Sequence, residues 1–451
     1  MQLPSRILRQ AILLGGVLWL TIAAGGCRST RPSIRLAHQA YLSGDLPVAT
    51  ETLSSVANDS SSLRTASELD LAIVELAGGQ SSSAESRLRA LRDRFDAQTE
   101  LSIKDAASFV SDDRVREFSL AAYEDVVLRT MLAVCSLSSG SGDAGAYLLQ
   151  AQQRQIELAK TLDESEDGPK YATHVALAPY LRGAIREATH QDYDDAERSF
   201  RLVSQIEPGF LPASEDIRRA NQGQHSPKGH GVVYVISFVG EGPRRIETIA
   251  DTTTASLQIA STLIRSARND SDDDNEPVLP NIASVKVPRT VVPDSPLAAI
   301  GVRYGSQFLG ATQTVTHVGR LAVDQCEAEM PWTIARAVAR RVLKEASVAA
   351  VSDSVGLNGT AASLFEFAAS SAWSGIEKAD TRGWTLLPRE FQVLRAALPA
   401  GHHTLELVPL GFGGDAIAPA VLHSVEIEDG RNSFAFVFAP TKIVSVVDAA
   451  R

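Results

Sequence analysis

Asp380, Arg382 and Arg395 form the charged set with the clearest chemical constraint in this chain. Arg395 shares a period-two face with Phe391 and Val393, so burial of that face would require a carboxylate beside the guanidinium. Asp380 is the expected partner, in a structural ion pair rather than a catalytic one. Asp270, Asp272 and Asp274 alternate as calcium-loop ligands do, yet Asn275 replaces the turn glycine and Asn281 stands where a bidentate Glu belongs. An acidic surface loop is the expectation there. Residues 240–243 (GEGP) follow an apolar run, but Pro243 and the lack of a third glycine spoil a dinucleotide loop, leaving a β-turn. His402 and His403 are adjacent in a strand-like stretch and so point to opposite faces, which prevents joint metal ligation. There is no Gly-x-Ser-x-Gly elbow, no His-Glu-x-x-His helix and no redox cysteine pair. The expectation is a non-catalytic protein with no cofactor and no metal.

The amino terminus has the layout of a secretory signal. Arg6 and Arg9 give a positive start, and residues 11–26 (AILLGGVLWLTIAAGG) form an uncharged run of about sixteen residues. That is short for a membrane span, which needs roughly 20. The run ends in Ala24, Gly25, Gly26 and Cys27, which resembles the lipobox of bacterial lipoproteins, with Ala24 in place of the usual Leu. The resemblance implies a signal peptide at 1–26, lipidation of Cys27 and a tether at 27–32. Arg28 is not the Asp of an inner-membrane retention signal, which favours the outer membrane, facing the periplasm.

Composition agrees with a folded globular protein. The 451 residues suffice for two or three domains, and a net charge of -11 argues against a nucleic-acid partner. Cys135 and Cys326, the cysteines besides Cys27, are expected as buried free thiols.

Residues 33–220 read as helices with a recurring pattern. In 179–208 (PYLRGAIREATHQDYDDAERSFRLVSQIEP), Tyr180, Ala184, Tyr193, Ala196, Phe200 and Pro208 fall on the template of a tetratricopeptide repeat. Small residues let two helices approach, and large apolar ones fill the groove between them. Ala37, Gly44, Ala49 and Leu53 fit the same template, as do Ala72, Gly79, Ala84 and Leu88, and a weaker copy runs through 123–155. Such hairpins present a concave surface that usually binds peptides or proteins; Gln152, Gln153, Arg154 and Gln155 read as a solvated helix face.

The second half is mixed. Residues 221–230 (NQGQHSPKGH) read as a linker, 231–380 as a mixed α/β region and 381–451 as a small β-sandwich. Residues 232–239 (VVYVISFV) read as a buried strand, 331–346 (PWTIARAVARRVLKEA) as an amphipathic helix with Pro331 in its first turn, and 361–376 as another helix. Arg336, Arg340 and Lys344 would be the solvated face of the helix at 331–346. The fold class is thus α+β and multidomain.

The segments AYEDVVLRTMLAVCSL, QAQQRQIEL, GEGP, LPNIASV, PWTIARAVARRVLKEA and ADTRGWTLLPREFQVLRAALPAGHHTLEL occur in this order. Together they resemble a family of bacterial tetratricopeptide-containing envelope lipoproteins with no established activity. The carboxy-terminal strands also resemble the PEGA-type sandwich module. The resemblance implies a lipid-anchored scaffold whose repeats bind a periplasmic or envelope protein. The competing expectation is an envelope ligand-binding or cell-wall-processing enzyme, with its site between the mixed region and the sandwich.

Overall fold

The computed structural model describes residues 30–60, 62–102, 118–164, 169–171, 173–268, 282–354 and 379–450. Cys27, the acidic tract at 270–276 and the expected helix at 361–376 lie outside them. Helices come first, in antiparallel pairs: α1 (Thr30–Ser43) with α2 (Leu46–Asp59), α3 (Arg64–Ala77) with α4 (Ser81–Ser102), α5 (Ala122–Ser139) with α6 (Ala144–Glu164), and α7 (Leu177–Glu187) with α8 (Tyr193–Ile206). Helix α9 (Pro212–Asn221) packs on α8. The first hairpin turns at Gly44, whose φ of +88° suits glycine alone, and Asp45 then accepts from Val48 N at 3.3 Å to cap α2. Of the template residues, Ala37, Ala49, Leu53, Ala72, Ala84, Leu88, Tyr180, Ala184, Ala196 and Phe200 are buried. Gly44 and Tyr193 are half-buried, and Gly79 and Pro208 are exposed at helix ends.

Burial separates inner from outer helices. From 69 to 77 α3 is buried on every side, and so is α5 from 123 to 136. A helix buried all round must be covered on both flanks. One cover is the outer row of α2, α4, α6 and α8. The other is a β-sheet.

The strands are β1 (His230–Glu241), β2 (Arg244–Asp251), β3 (Ser284–Val291), β4 (Ala299–Tyr304), β5 (Gln307–Ala311), β6 (Gln313–Thr316), β7 (Pro388–Pro399), β8 (Gly401–Leu410), β9 (Val421–Ile427), β10 (Asn432–Ala439) and β11 (Ser445–Asp448). A five-stranded sheet has the order β11-β10-β1-β7-β6, and a four-stranded one β5-β4-β8-β9. Strand β1 is central, parallel to β10 and antiparallel to β7. Alternation sorts its side chains: Tyr234, Ile236 and Phe238 join the helical core, while Val233, Val235 and Val239 join the core shared with the second sheet. The continuous apolar run of β1 follows from having both faces covered. Aromatic rings fill the helix-facing side, with Tyr234 on Phe434 at 5.2 Å and Phe238 on Phe438 at 4.4 Å.

The architecture is therefore mixed α+β, with helices dominating the first half of the chain and strands the second. It differs from the expected segmentation at 380. Strands from 231–380 and from 381–451 share both sheets, interleaved in the larger and side by side in the smaller, so the last segment is not a separate unit. The cause is that β1 needs neighbours on both edges and finds them in β7 and β10, far along the chain. The 221–230 linker is also packed: His225 is buried, and its Nε2 lies 2.7 Å from Asn432 Oδ1.

Helix α11 (Val318–Ser354) runs 37 residues with Pro331 inside it rather than at its start. Val318, Leu321 and Ala322 pack in the helical core, while Ala335, Val338 and Val342 pack against the β2–β3 pair and α10 (Thr254–Arg268). Packing at both ends offsets the cost of a proline in the helix interior. Arg340, expected on the solvated face, is buried, and Arg336 is half-buried; the Lys344 side chain lies outside the described residues. Cys135 and Cys326 are free thiols, the first buried and the second half-buried. Among the described residues no helix is long and apolar enough to cross a membrane.

Candidate functional site

Where the helical layer meets β1, β2 and the segment leading into β7, the structure forms an open cavity of about 640 Å³. That is the size of a small-molecule site. Four stretches of chain build most of it, and Pro293 adds to its wall. The first is α1, with Ile34, Arg35 and His38; the second is the α2–α3 turn and α3, with Ser62, Leu63, Ala66, Ser67 and Asp70. The third is the β1–β2 turn with Glu241, Gly242, Arg244 and Arg245, and the fourth is the approach to β7 with Asp380, Arg382, Gly383 and Thr385.

The fourth stretch is held by directed hydrogen bonds. Asp70, buried on α3, accepts from Thr385 Oγ1 at 2.7 Å and from Leu386 N at 2.9 Å. Burial drives its carboxyl up to about 7; these two hydrogen bonds oppose the rise, and nearby Glu124 adds to it. Asp380 folds back on Arg382, accepting from its Nε at 2.8 Å and Nη2 at 2.7 Å. Arg382 Nη1 donates to the Ser62 carbonyl at 3.2 Å, and Glu247 on β2 accepts from Ala379 N at 2.8 Å. The β1–β2 turn closes against this stretch so tightly that a Cβ on Gly242 would sit 2.0 Å from the Leu387 carbonyl oxygen. Only glycine permits that approach.

The electrostatics of the cavity are lopsided. Arg245 Nη1 donates to the Arg382 carbonyl at 3.3 Å. Among the described residues no carboxylate stands within ion-pair distance of Arg35, Arg244 or Arg245. Burial works against the charge on Arg245, yet the wider field of Glu124, Tyr123, Asp380 and Glu329 outweighs it and raises its pKa above the usual arginine value. His38 Nε2 lies 3.8 Å from Glu241, beyond hydrogen-bond reach. Burial, helped by Arg244 and opposed by Glu241, lowers the His38 pKa, so its ring is neutral at pH 7. The cavity therefore offers several donors and cations to few free acceptors, an arrangement suited to holding an anion.

Asp380 and Arg395, expected as a pair, are not together. Arg395 lies deeper, under α7, where its Nη2 is 3.7 Å from Glu187 and its Nε donates to Tyr234 Oη at 3.2 Å. It also donates to the His225 carbonyl. Glu187, fully buried, accepts from Arg219 Nε at 2.5 Å as well. The guanidinium does require a carboxylate, but a helix rather than the nearby chain supplies it. The named partners of Arg395 all belong to the protein itself.

Asp380 and Arg382 stand out in the sequence, while most other cavity residues do not, for identifiable reasons. Asp70 was visible as a lone acid inside the apolar run LDLAIV, a signal of a buried, partnered carboxylate. Arg244 and Arg245 directly follow the GEGP turn, but nothing local shows that α1 and Thr385 come to face them. His402 and His403 lie on β8, His403 with its Nδ1 3.1 Å from Tyr304 Oη. Among the described residues no three His, Cys, Asp or Glu side chains gather to hold a metal ion. No protein-family model, curated protein or solved structure matches the chain.

Proposed function

We propose that this is a lipid-anchored envelope protein of the periplasmic side that binds a small ligand in the cavity between its helices and its strands. The observation that carries this is the cavity itself, with Arg35, Arg244 and Arg245 in its wall and, among the described residues, no carboxylate at ion-pair distance from any of them. The helical pairs are tetratricopeptide-like repeats turned inward on this reading, and the two packed sheets are a sandwich. Supporting that, Tyr234, Phe434 and Phe438 of the chain's own sheet share a core with Ala37, Ala72, Val127 and Tyr180 of the inner helices. The face that would receive an extended partner is thus taken up internally.

The test is a cavity-filling variant. Gly383 lines the cavity and a Cβ there meets nothing within 4 Å, so Gly383→Trp starts a bulky side chain in open space at the cavity wall. Native mass spectrometry of the protein from cell envelopes is expected to show a bound small molecule in the wild type and none in Gly383→Trp. The same bound mass, or none, in both proteins would sink the proposal.

A second reading, recruitment of a periplasmic protein, draws on α6. Leu149 and Ile156 there are each 55% exposed, one helical heptad apart, with Gln152 and Gln153 between them. A partner lost on Leu149→Glu would support it.

A further inference from the structure

We propose that the cavity binds a phosphate ester, gripped by Arg245 with Arg35 and Arg244. This names the ligand class of the site above and rests on that ligand-binding reading. Arg245, half-buried, spends one donor on the Arg382 carbonyl and, among the described residues, has no carboxylate at ion-pair distance. The acids that share the cavity are largely committed. Asp380 is occupied by Arg382, and Asp70 by Thr385 and Leu386. Glu241 is left facing His38. A further donor waits in the wall: Ser67 is 1% exposed, and its hydroxyl has no hydrogen-bond partner among the described residues. Buried polar groups left without partners are costly, so a ligand rich in acceptors completes the site. A phosphate has only acceptors in its charged oxygens and matches the guanidinium fork.

The rest of the wall describes the rest of the ligand. Ile34, Leu63, Ala66 and Pro293 add an apolar side, which favours an ester with a hydrocarbon portion over bare phosphate. Two sources present this chemistry, a phospholipid headgroup and a soluble phosphate ester. Arg35 is on α1, which starts at Thr30, so a span of three residues and about one and a half helical turns sets an upper limit of roughly 20 Å on its distance from Cys27. A lipid on Cys27 would hold the cavity beside the headgroup layer.

Isothermal titration of the full chain in non-ionic detergent separates the outcomes. The probes are dihexanoyl phosphatidylglycerol, dihexanoyl phosphatidylcholine and glycerol 3-phosphate. Binding of the phosphatidylglycerol, weakened about tenfold or more in Arg245→Gln and lost in Gly383→Trp, is the expected result and identifies the membrane as the source. Binding of glycerol 3-phosphate alone, with the same variant effects, supports the phosphate site and makes the source soluble. Equal binding of phosphatidylcholine and phosphatidylglycerol, untouched by Arg245→Gln, overturns it, as does no binding of any probe. If a co-purified ligand without phosphate is displaced by Gly383→Trp, the phosphate class falls while the ligand-binding reading stands. If Arg245→Gln does not fold, Arg244→Gln at the exposed rim carries the same comparison.

Discussion

Replacing Asp70 with Asn is expected to flatten the pH dependence of stability on the neutral side. The folded carboxyl holds its proton up to about 7, against an ordinary 3.8 in an unfolded chain. Between those limits the folded state binds more protons than the unfolded state, so stability is greatest at the acidic end and falls as pH rises. Above about 7 both states are ionised and the loss is complete. Between pH 5 and pH 8 the loss from this one group is roughly 3 kcal/mol. The amide introduced by Asp70→Asn would keep an acceptor for Leu386 N and a polar group opposite Thr385, but cannot ionise. His38, His174 and His225, whose pKa values burial lowers, act with the opposite sign below about 6.5 and are common to both proteins. The measurement is urea unfolding of both proteins at pH 5, 6, 7 and 8. The wild type should lose roughly 3 kcal/mol more than the variant across the series. Parallel curves would show that Asp70 is ionised throughout and that its burial has been misjudged.

Other substitutions probe the layers separately. Gly183→Ala would place a Cβ 2.6 Å from the Phe200 ring, where α7 and α8 cross. It should cost about 1–3 kcal/mol in urea unfolding, whereas Gly145→Ala, with open space around its Cβ, should cost almost nothing. Arg395→Ala removes one of two cations from fully buried Glu187 and the donor to Tyr234, so a loss of about 3 kcal/mol is expected. Unchanged stability would mean that Arg219 alone satisfies Glu187. Cys27→Ser should move the protein from the membrane to the soluble fraction, and its persistence in membranes would argue against lipidation.

Local patterns in the chain determined local structure. Small and large residues at helical spacing fall on antiparallel helix pairs, with Ala37, Ala72, Ala84 and Ala196 all buried. Gly44 and Asp45 marked a turn that the backbone makes. The run VVYVISFV declared a strand covered on both faces, and Arg395 on the face of Phe391 declared its need for a carboxylate. These follow from the repeats of helix and strand, which any short stretch carries in itself.

What each face would meet was decided only by tertiary structure. Glu187, rather than Asp380, reaches Arg395 because α7 lies across the sheet, and no spacing along the chain records that crossing. Strand β1 sits between β7 and β10, so the carboxy-terminal strands complete sheets begun far earlier. Pro331 looked like a helix start, yet packing at both ends carries α11 through it. The cavity depends on this most of all. Arg35, Arg244 and Arg245 are ordinary residues where they stand in the sequence, and become part of a site only when α1, α3, the GEGP turn and the approach to β7 converge. Periodicity specifies which way a side chain points; the identity of its long-range neighbour comes from how whole layers pack.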